Sequence, residues 1–287
     1  MIKSRVKVTR TIADSRKAIG KMRESGLKIG FVPTMGALHL GHISLIQKAK
    51  ELVDVVIVSI FVNPTQFGPR EDFSSYPRPL QKDLELCEEH DVSMVFHPDV
   101  DEMYGEENLI DIKAGEMAKY LCGKSRPDHF DGVLQVVNKL FNIIRPDVAV
   151  FGQKDIQQLY VIRQMVSEFK MDLDVVMAPT KRESDGLAIS SRNVYLTSSQ
   201  RKSAPFLYQT LCDLADLIKS GQEDIQPFIR SRSAEFKEKG LIIDYLSCAE
   251  PPRMVPVSRI KKNRDYILAG AVFAGDTRLI DNLIIHT

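Results

Sequence analysis

Two histidines three positions apart, His39 and His42, close the segment Phe31-Val32-Pro33-Thr34-Met35-Gly36-Ala37-Leu38-His39-Leu40-Gly41-His42. Before them an apolar run (Ile29, Phe31, Val32) reads as a buried strand, and after them Ile43, Leu45, Ile46 and Ala49 recur at helical spacing. A strand that stops at a Pro/Gly-punctuated turn and enters a helix leaves backbone N–H groups at the helix start. There the macrodipole favours an anion, most often a phosphate. The imidazoles add two side-chain donors at the same place, so the segment reads as a nucleotide phosphate site. Two plainer readings compete. Histidines three apart can share a helix face and bind a metal, but metal catalysis needs further ligands and no H-E-x-x-H is present. They can also do no more than cap or fill the helix start.

Three further segments carry chemistry. Phe61-Val62-Asn63-Pro64-Thr65-Gln66-Phe67 ends a strand and presents two amides, which bind hydroxyl and carboxylate oxygens without adding charge. Phe151-Gly152-Gln153-Lys154-Asp155-Ile156-Gln157-Gln158 ends another strand and puts a lysine at a helix start. Lys181 to Asn193 is a polar loop containing Ser190, Ser191 and Arg192. Ala118 to Ser125 nearly matches a P-loop, with Ala118 where the first Gly belongs. Its context is wrong, because Gly115-Glu116-Met117 is not a strand and Arg126-Pro127 stands where a helix must run.

The elements that must position these groups alternate between strand and helix. Val55 to Val62, Ser93 to Phe96, Val148 to Phe151 and Leu173 to Met177 read as strands; Leu80 to His90, Gly132 to Arg145 and Gln157 to Phe169 read as helices. That alternation implies βαβ units and a parallel sheet covered on both faces. Ligands of such sheets bind at the carboxyl ends of strands, where the loops after Val32, Val62 and Phe151 lie. Beyond a hinge at Pro179 to Arg182 come helical stretches near Ser199 to Lys219 and Ile225 to Lys237. Strand-like runs at Asp244 to Ser247, Tyr266 to Phe273 and Leu279 to Ile285 close the chain. The expected fold is α/β: a parallel-sheet domain over 1–178 with a ligand cleft at its strand ends, and a smaller C-terminal α+β domain over 179–287.

The 287 residues are 44% hydrophobic and 27% charged, as in a soluble globular protein. A net charge of +1 argues against a broad nucleic-acid or acidic-membrane footprint. Met1 to Arg10 lacks a signal-like apolar stretch, and no run is long enough to span a membrane. Cys87, Cys122, Cys212 and Cys248 are scattered without C-x-x-C spacing, which suggests neither zinc nor a redox pair. A cytoplasmic location is expected.

A His-x-Gly-His turn early in the chain and a Ser-Ser-Arg loop late in it resemble the HIGH and KMSKS elements of adenylyl-transferring Rossmann-like enzymes. Within that superfamily PTMGALHLGH, SIFVNPTQF, SRPDHFDGV, FGQKD, QQL, GLAISSRN and the closing Gly275 to Asn282 occur in the order and spacing of the pantoate–β-alanine ligase family. The resemblance runs from Lys28 to Asn282, nearly the whole chain.

It implies a Rossmann-like domain over 1–178 that binds ATP and pantoate, a C-terminal lid domain over 179–287, and an ATP-dependent, carbon–nitrogen bond-forming ligase of pantothenate biosynthesis, on the coenzyme A pathway. D-pantoate and β-alanine would condense through pantoyl adenylate, releasing AMP and pyrophosphate. His39, His42 and Lys154 would be catalytic, with His42 the proton donor to the leaving group. ATP would be bound by Met35, Gly36, His39, His42, Gly152, Lys154, Asp155, Lys181, Ile189, Ser190, Ser191 and Arg192. Gln66 and Gln158 would bind pantoate, and Gln66 with Asn63 the β-alanine; Arg126 and His129 would support the site. Mg²⁺ would be held mainly by phosphate oxygens and water, with Asp83 a candidate contact whose alternative is an exposed helix carboxylate. The family often has Glu where this chain has Gln153. A homodimer with small-molecule substrates and no nucleic-acid or membrane partner is expected. Mononucleotide and phosphopantetheine adenylyltransferases share the turn but have no need of the paired amides. An aminoacyl-tRNA synthetase is disfavoured by length and charge, and a non-catalytic nucleotide sensor would have no use for Lys154 beside both histidines.

Overall fold

A computed structural model describes residues 6–69, 71–106 and 108–287; the first five residues of the Met1–Arg10 segment lie outside these. The described chain gathers into two compact units. One is built from residues up to Ala114 with Asp128–Gly152 and Val161–Pro179; the other is Gly115–Pro127, Gln153–Tyr160 and Thr180–Thr287. The second unit therefore draws two short segments from before residue 179.

The first unit holds β1 (Lys7–Thr9), α1 (Ile12–Glu24), β2 (Ile29–Thr34), α2 (Leu40–Lys50), β3 (Val55–Ile60), α3 (Leu80–Glu89), β4 (Met94–Phe96) and α4 (Val100–Tyr104). After α5 (Leu121–Ser125), which groups with the second unit, come α6 (His129–Ile144), β5 (Val148–Gly152), α7 (Ile156–Glu168), whose first turns also group with the second unit, and β6 (Asp174–Ala178). Among the described residues the six strands form one parallel sheet in the order β1-β4-β3-β2-β5-β6. Side chains alternate across β2. Val32 joins Ile43, Ile46 and Ala49 of α2 on one face, while Phe31 meets Phe141 of α6 edge-on at 6.4 Å. From β2 the chain moves outward to β3 and β4, then returns to lay β5 on the other side of β2. That reversal puts the topological switch point, where open α/β sheets take ligands, at the carboxyl ends of β2 and β5.

In the second unit α8 (Ser198–Ser203), α9 (Phe206–Lys219) and α10 (Gln226–Glu238) accompany β7 (Leu241–Glu250), β8 (Val255–Val257), β9 (Asp265–Ala274) and β10 (Thr277–His286). These strands form an antiparallel sheet in the order β10-β9-β7-β8. Leu207, Leu211 and Leu214 of α9 and Phe236 of α10 pack with Leu268 and Val272 of β9 to make its core. The architecture is the expected α/β sheet with a separate sheet-and-helix unit. The details differ in places. The expected helix over 199–219 breaks between α8 and α9, where Pro205 has no N–H to continue the ladder. The three-residue β1 and the 13-residue helix α1, whose buried face is only Ser15, Ala18 and Ile19, are not among the expected elements, and β8 is three residues with a central proline on a sheet edge. The P-loop look-alike forms the five-residue helix α5, where a Cβ on Gly123 would fall 2.1 Å from the Ala118 carbonyl oxygen. That glycine serves helix packing and not a phosphate.

Ile46 has no exposed surface. Ile46→Ala should destabilise the protein by about 2–5 kcal/mol in chemical denaturation; a loss well under 1 kcal/mol would mean that the core over the switch point is not closely packed.

Candidate active site

Thr34 ends β2, its hydroxyl donating to the Ser59 carbonyl (2.7 Å) and accepting from the Gly36 N–H (3.1 Å). Gly36 then turns at φ +85°, and a Cβ there would stand 3.0 Å from both Asp83 Oδ2 and Ile60 Cγ2. The N–H groups of Ala37 and Leu38 donate to Asp83 Oδ2 (2.9 Å) and Oδ1 (2.7 Å). Asp83, on α3, is 1% exposed, so it is not the exposed helix carboxylate that one reading expected, and each of its oxygens takes a backbone amide. It braces the turn.

His39 is the N-cap of α2. Its Nδ1 accepts from the Gly41 N–H (3.1 Å), while His42 Nδ1 accepts from the His39 N–H (3.3 Å). The rings lie 4.1 Å apart, tilted by 34°. An imidazole nitrogen that accepts a backbone N–H bears no proton, so each neutral ring carries its proton on Nε2 and donates there. The free amides expected at this turn are thus largely taken up internally, and two imidazole donors are fixed instead.

Asn63 caps the 3-10 turn Pro64–Gln66 that follows β3. It is buried, and its Nδ2 donates to Gln66 Oε1 (3.2 Å) and the Gly132 carbonyl (3.1 Å). Its Oδ1 accepts from the hydroxyls of Tyr104 (2.6 Å) and Thr65 (3.1 Å). Asn63, expected at the approach of the amine, has the place of a brace for Gln66. Burial pushes the Tyr104 hydroxyl pKa upward, which keeps it a donor to Asn63. His129 Nδ1 pairs with the Gln66 carbonyl oxygen (2.8 Å), and Gln66 Nε2 reaches Met35 Sδ (3.0 Å), so the loops after β2 and β3 meet. Gly132 admits the Thr65 carbonyl oxygen to within 2.2 Å of where a Cβ would lie. Gly152, the last residue of β5, is half-buried.

In the second unit Gln153–Asp155 forms a 3-10 turn ahead of α7. Lys154 and Gln158 are half-buried and Asp155 is exposed. Gln157 is buried and ties in the 115–125 segment, accepting from the Cys122 N–H (3.0 Å) and donating to the Met117 (2.8 Å) and Tyr120 (2.9 Å) carbonyls. The loop after Pro179 folds into a small hairpin. Arg182 bridges to Ala188, the Ile189 N–H donates to the Lys181 carbonyl (2.9 Å), and Gly186 turns at φ +93°. Ser190 caps the following 3-10 turn, Ser191–Tyr195, accepting from the Arg192 N–H (3.3 Å). Ser190, Ser191 and Arg192 are half-buried and Lys181 is exposed. Arg182 makes a two-point ion pair with Asp281 (2.5 and 2.7 Å) and lies 3.7 Å over the Tyr208 ring. Asn282 donates to the Gln153 (2.8 Å) and Lys154 (3.0 Å) carbonyls. Sequence reading gave Asp281 and Asn282 no role; the available signal was two adjacent polar residues inside the apolar run Leu279 to Ile285.

No group of three or more His, Cys, Asp or Glu side chains able to hold a metal forms among the described residues. The donors on hand suit oxyanions.

A family model for pantoate-beta-alanine ligases matches residues 7–284. The pantothenate synthetase of Fervidobacterium nodosum is 47% identical over 281 residues, 98% of this chain and 100% of that protein. That of Thermosipho africanus is 46% identical over 280 residues, again 98% and 100%. A crystal structure of pantothenate synthetase from Thermus thermophilus superposes with a TM-score of 0.89 at 39% identity, covering 98% of this chain and 100% of that one. The Francisella tularensis pantoate-beta-alanine ligase, crystallised with beta-gamma ATP and beta-alanine, gives 0.81 at 38% identity and 97% of both chains.

Burial raises the Asp83 carboxyl pKa above its ordinary 3.8, against the opposing pull of the Leu38 and Ala37 amides. The folded state therefore holds this proton more tightly than the unfolded chain. The resulting stability is fully present below pH 3.8 and lost as pH rises through the folded value. At neutral pH the buried charge is a cost borne for the shape of the turn. Asp83→Asn removes that charge but sets an NH₂ group against one amide. Hydrogen exchange at Ala37 or Leu38 should then lose about 1–2 kcal/mol of protection without a fall in melting temperature. Unchanged protection at both amides would contradict the brace.

Proposed function

Because this chain belongs to the pantoate–β-alanine ligase family, and is accordingly an enzyme that joins pantoate to β-alanine, we propose that it does so by way of a pantoyl adenylate. A pantoate carboxylate oxygen attacks the α-phosphorus of ATP, the bond to the β-phosphate oxygen breaks, and pyrophosphate leaves. The β-alanine amine then attacks the carbonyl carbon of the mixed anhydride. AMP leaves with the electrons of the C–O bond, and the nitrogen gives up a proton as the amide forms. No enzyme nucleophile is required; the task is positioning and stabilisation of charge on phosphate oxygens.

The single observation that carries this reading is the pair of imidazoles locked by their Nδ1 bonds at the start of α2. His39 and His42 donate from Nε2 to phosphate oxygens, and His42 serves the leaving pyrophosphate. Lys154 neutralises charge gathering between carboxylate and α-phosphate. Ser190, Ser191 and Arg192 hold the β- and γ-phosphates; Met35, Gly36, Gly152, Asp155, Lys181 and Ile189 complete the ATP contacts. Gln66 and Gln158 take the hydroxyl and carboxylate oxygens of pantoate, and Gln66 lies on the β-alanine path with Asn63 behind it. Mg²⁺, when bound, would be held mainly by phosphate oxygens and water and would neutralise phosphate charge.

The four cysteines are all free thiols, which supports a cytoplasmic enzyme. No helix among the described residues is long and apolar enough to cross a membrane. A homodimer is what membership of this family suggests.

Isotope exchange between pyrophosphate and ATP tests the intermediate. Without β-alanine, exchange should require D-pantoate; exchange indifferent to pantoate would overturn the reading. Lys154→Ala should lower the exchange rate by about 10²–10³-fold, as loss of one transition-state donor does, while KM for ATP moves only a few-fold. A pure rise in KM would remove Lys154 from the chemical step.

A further inference from the structure

We propose that Asp281 and Asn282, consecutive residues of β10, are positioning residues that hold the Lys154 turn and the Lys181–Arg192 loop in register with one another. The proposal rests on the adenylating roles given above to Lys154, Ser190, Ser191 and Arg192.

Both side chains are buried, at 5% and 1% exposure, in a strand otherwise rich in Leu and Ile. Successive strand residues face opposite ways, and each of these two serves a different loop. Asp281 carries Arg182 in its two-point ion pair, and Arg182 Nη1 also donates to the Gly186 carbonyl (3.0 Å), so the hairpin leading to Ser190 hangs from this carboxylate. Asn282 Nδ2 donates to both the Gln153 and the Lys154 carbonyls, which sets the backbone from which the Lys154 side chain springs. The Asn282 N–H donates to Asp281 Oδ1 (2.7 Å), joining the two halves. β10 lies against both 3-10 turns, Gln153–Asp155 and Ser191–Tyr195.

Sheet formation does not call for these side chains. The pairing of β10 with β9 is made by backbone, and the residues opposite are Gly270 and Ala269. An apolar pair would serve stability at least as well, because desolvating an ion pair and an amide is expensive. What the polar pair adds is direction. Gln153 belongs to the same device: its Nε2 donates back to Asn282 Oδ1 (3.2 Å), which a glutamate carboxylate could not do.

The test is pantoate-dependent pyrophosphate–ATP exchange in single and combined variants. Asn282→Asp keeps an acceptor but loses the donor to the two carbonyls. It should cut the maximal exchange rate by about 10- to 100-fold, the scale of a small misplacement of a catalytic group, with little change in KM for ATP. In a Lys154→Ala background it should add nothing, because it acts through Lys154. Asp281→Asn should raise KM for pyrophosphate and add nothing to Arg192→Ala. Gln153→Leu removes only the side-chain bond to Asn282 and should give a few-fold loss that also vanishes in Lys154→Ala, which keeps the test sound if a β10 variant folds poorly. Equal losses in both backgrounds, or none, would overturn the clamp while leaving the adenylation reading intact. A wild-type enzyme without pantoate-dependent exchange would remove that reading and the clamp with it.

Discussion

Backbone amides that leave a strand and have not yet entered a helix must find acceptors, and the turn between β2 and α2 depends on how they do so. Gly36 finds the Thr34 hydroxyl, Ala37 and Leu38 find the two oxygens of Asp83, and His39 and Gly41 find the Nδ1 atoms of His42 and His39. The last pair has a chemical consequence. Because each ring accepts on Nδ1, its proton is confined to Nε2, and two oriented donors result from a capping arrangement. The same two bonds that start the helix therefore prepare the site proposed for phosphate. The left-handed turn at Gly36 and the buried charge on Asp83 are costs that this arrangement offsets.

The second unit follows the same rule with different groups. Its chemistry-bearing segments are loops, and loops hold position only where their polar groups are met. Gln157 secures the segment around Cys122, while Asp281 and Asn282 secure the hairpin and the Lys154 turn. Arg278 and Asp244 form a half-buried ion pair in the same unit (2.7 Å), and Asp244 also accepts from the Ser125 hydroxyl (2.6 Å). In both units the groups expected to touch substrate lie in distinctive segments, whereas the buried polar residues that aim them are scattered along the chain.

This asymmetry decides what could be read in the sequence. The parallel sheet was legible because Ile29 to Val32, Val55 to Ile60 and Val148 to Phe151 are apolar runs divided by amphipathic helices, and burial enforces that pattern. His39, His42, Lys154 and the Ser190 to Arg192 loop stood out only in combination, through their order and spacing, since histidines also cap helices and surface lysines are usually just solvated. The braces were not legible. Asp83 has the sequence context of a surface helix carboxylate, and only the fold brings it to Ala37 and Leu38, 46 and 45 residues away. Asn63 resembles a ligand-binding amide until its partners from Tyr104 and Gly132 are seen. Long-range pairing of this kind leaves no periodicity behind.

The imidazole tautomers are the most direct test of the central claim that capping bonds prepare two Nε2–H donors. Nitrogen-15 NMR of ring-labelled protein, assigned through His39→Gln and His42→Gln variants, distinguishes a protonated from an unprotonated ring nitrogen. At neutral pH both rings should show a proton-bearing Nε2 and an unprotonated Nδ1. A proton on Nδ1 of either ring would break its bond to the backbone and contradict the account.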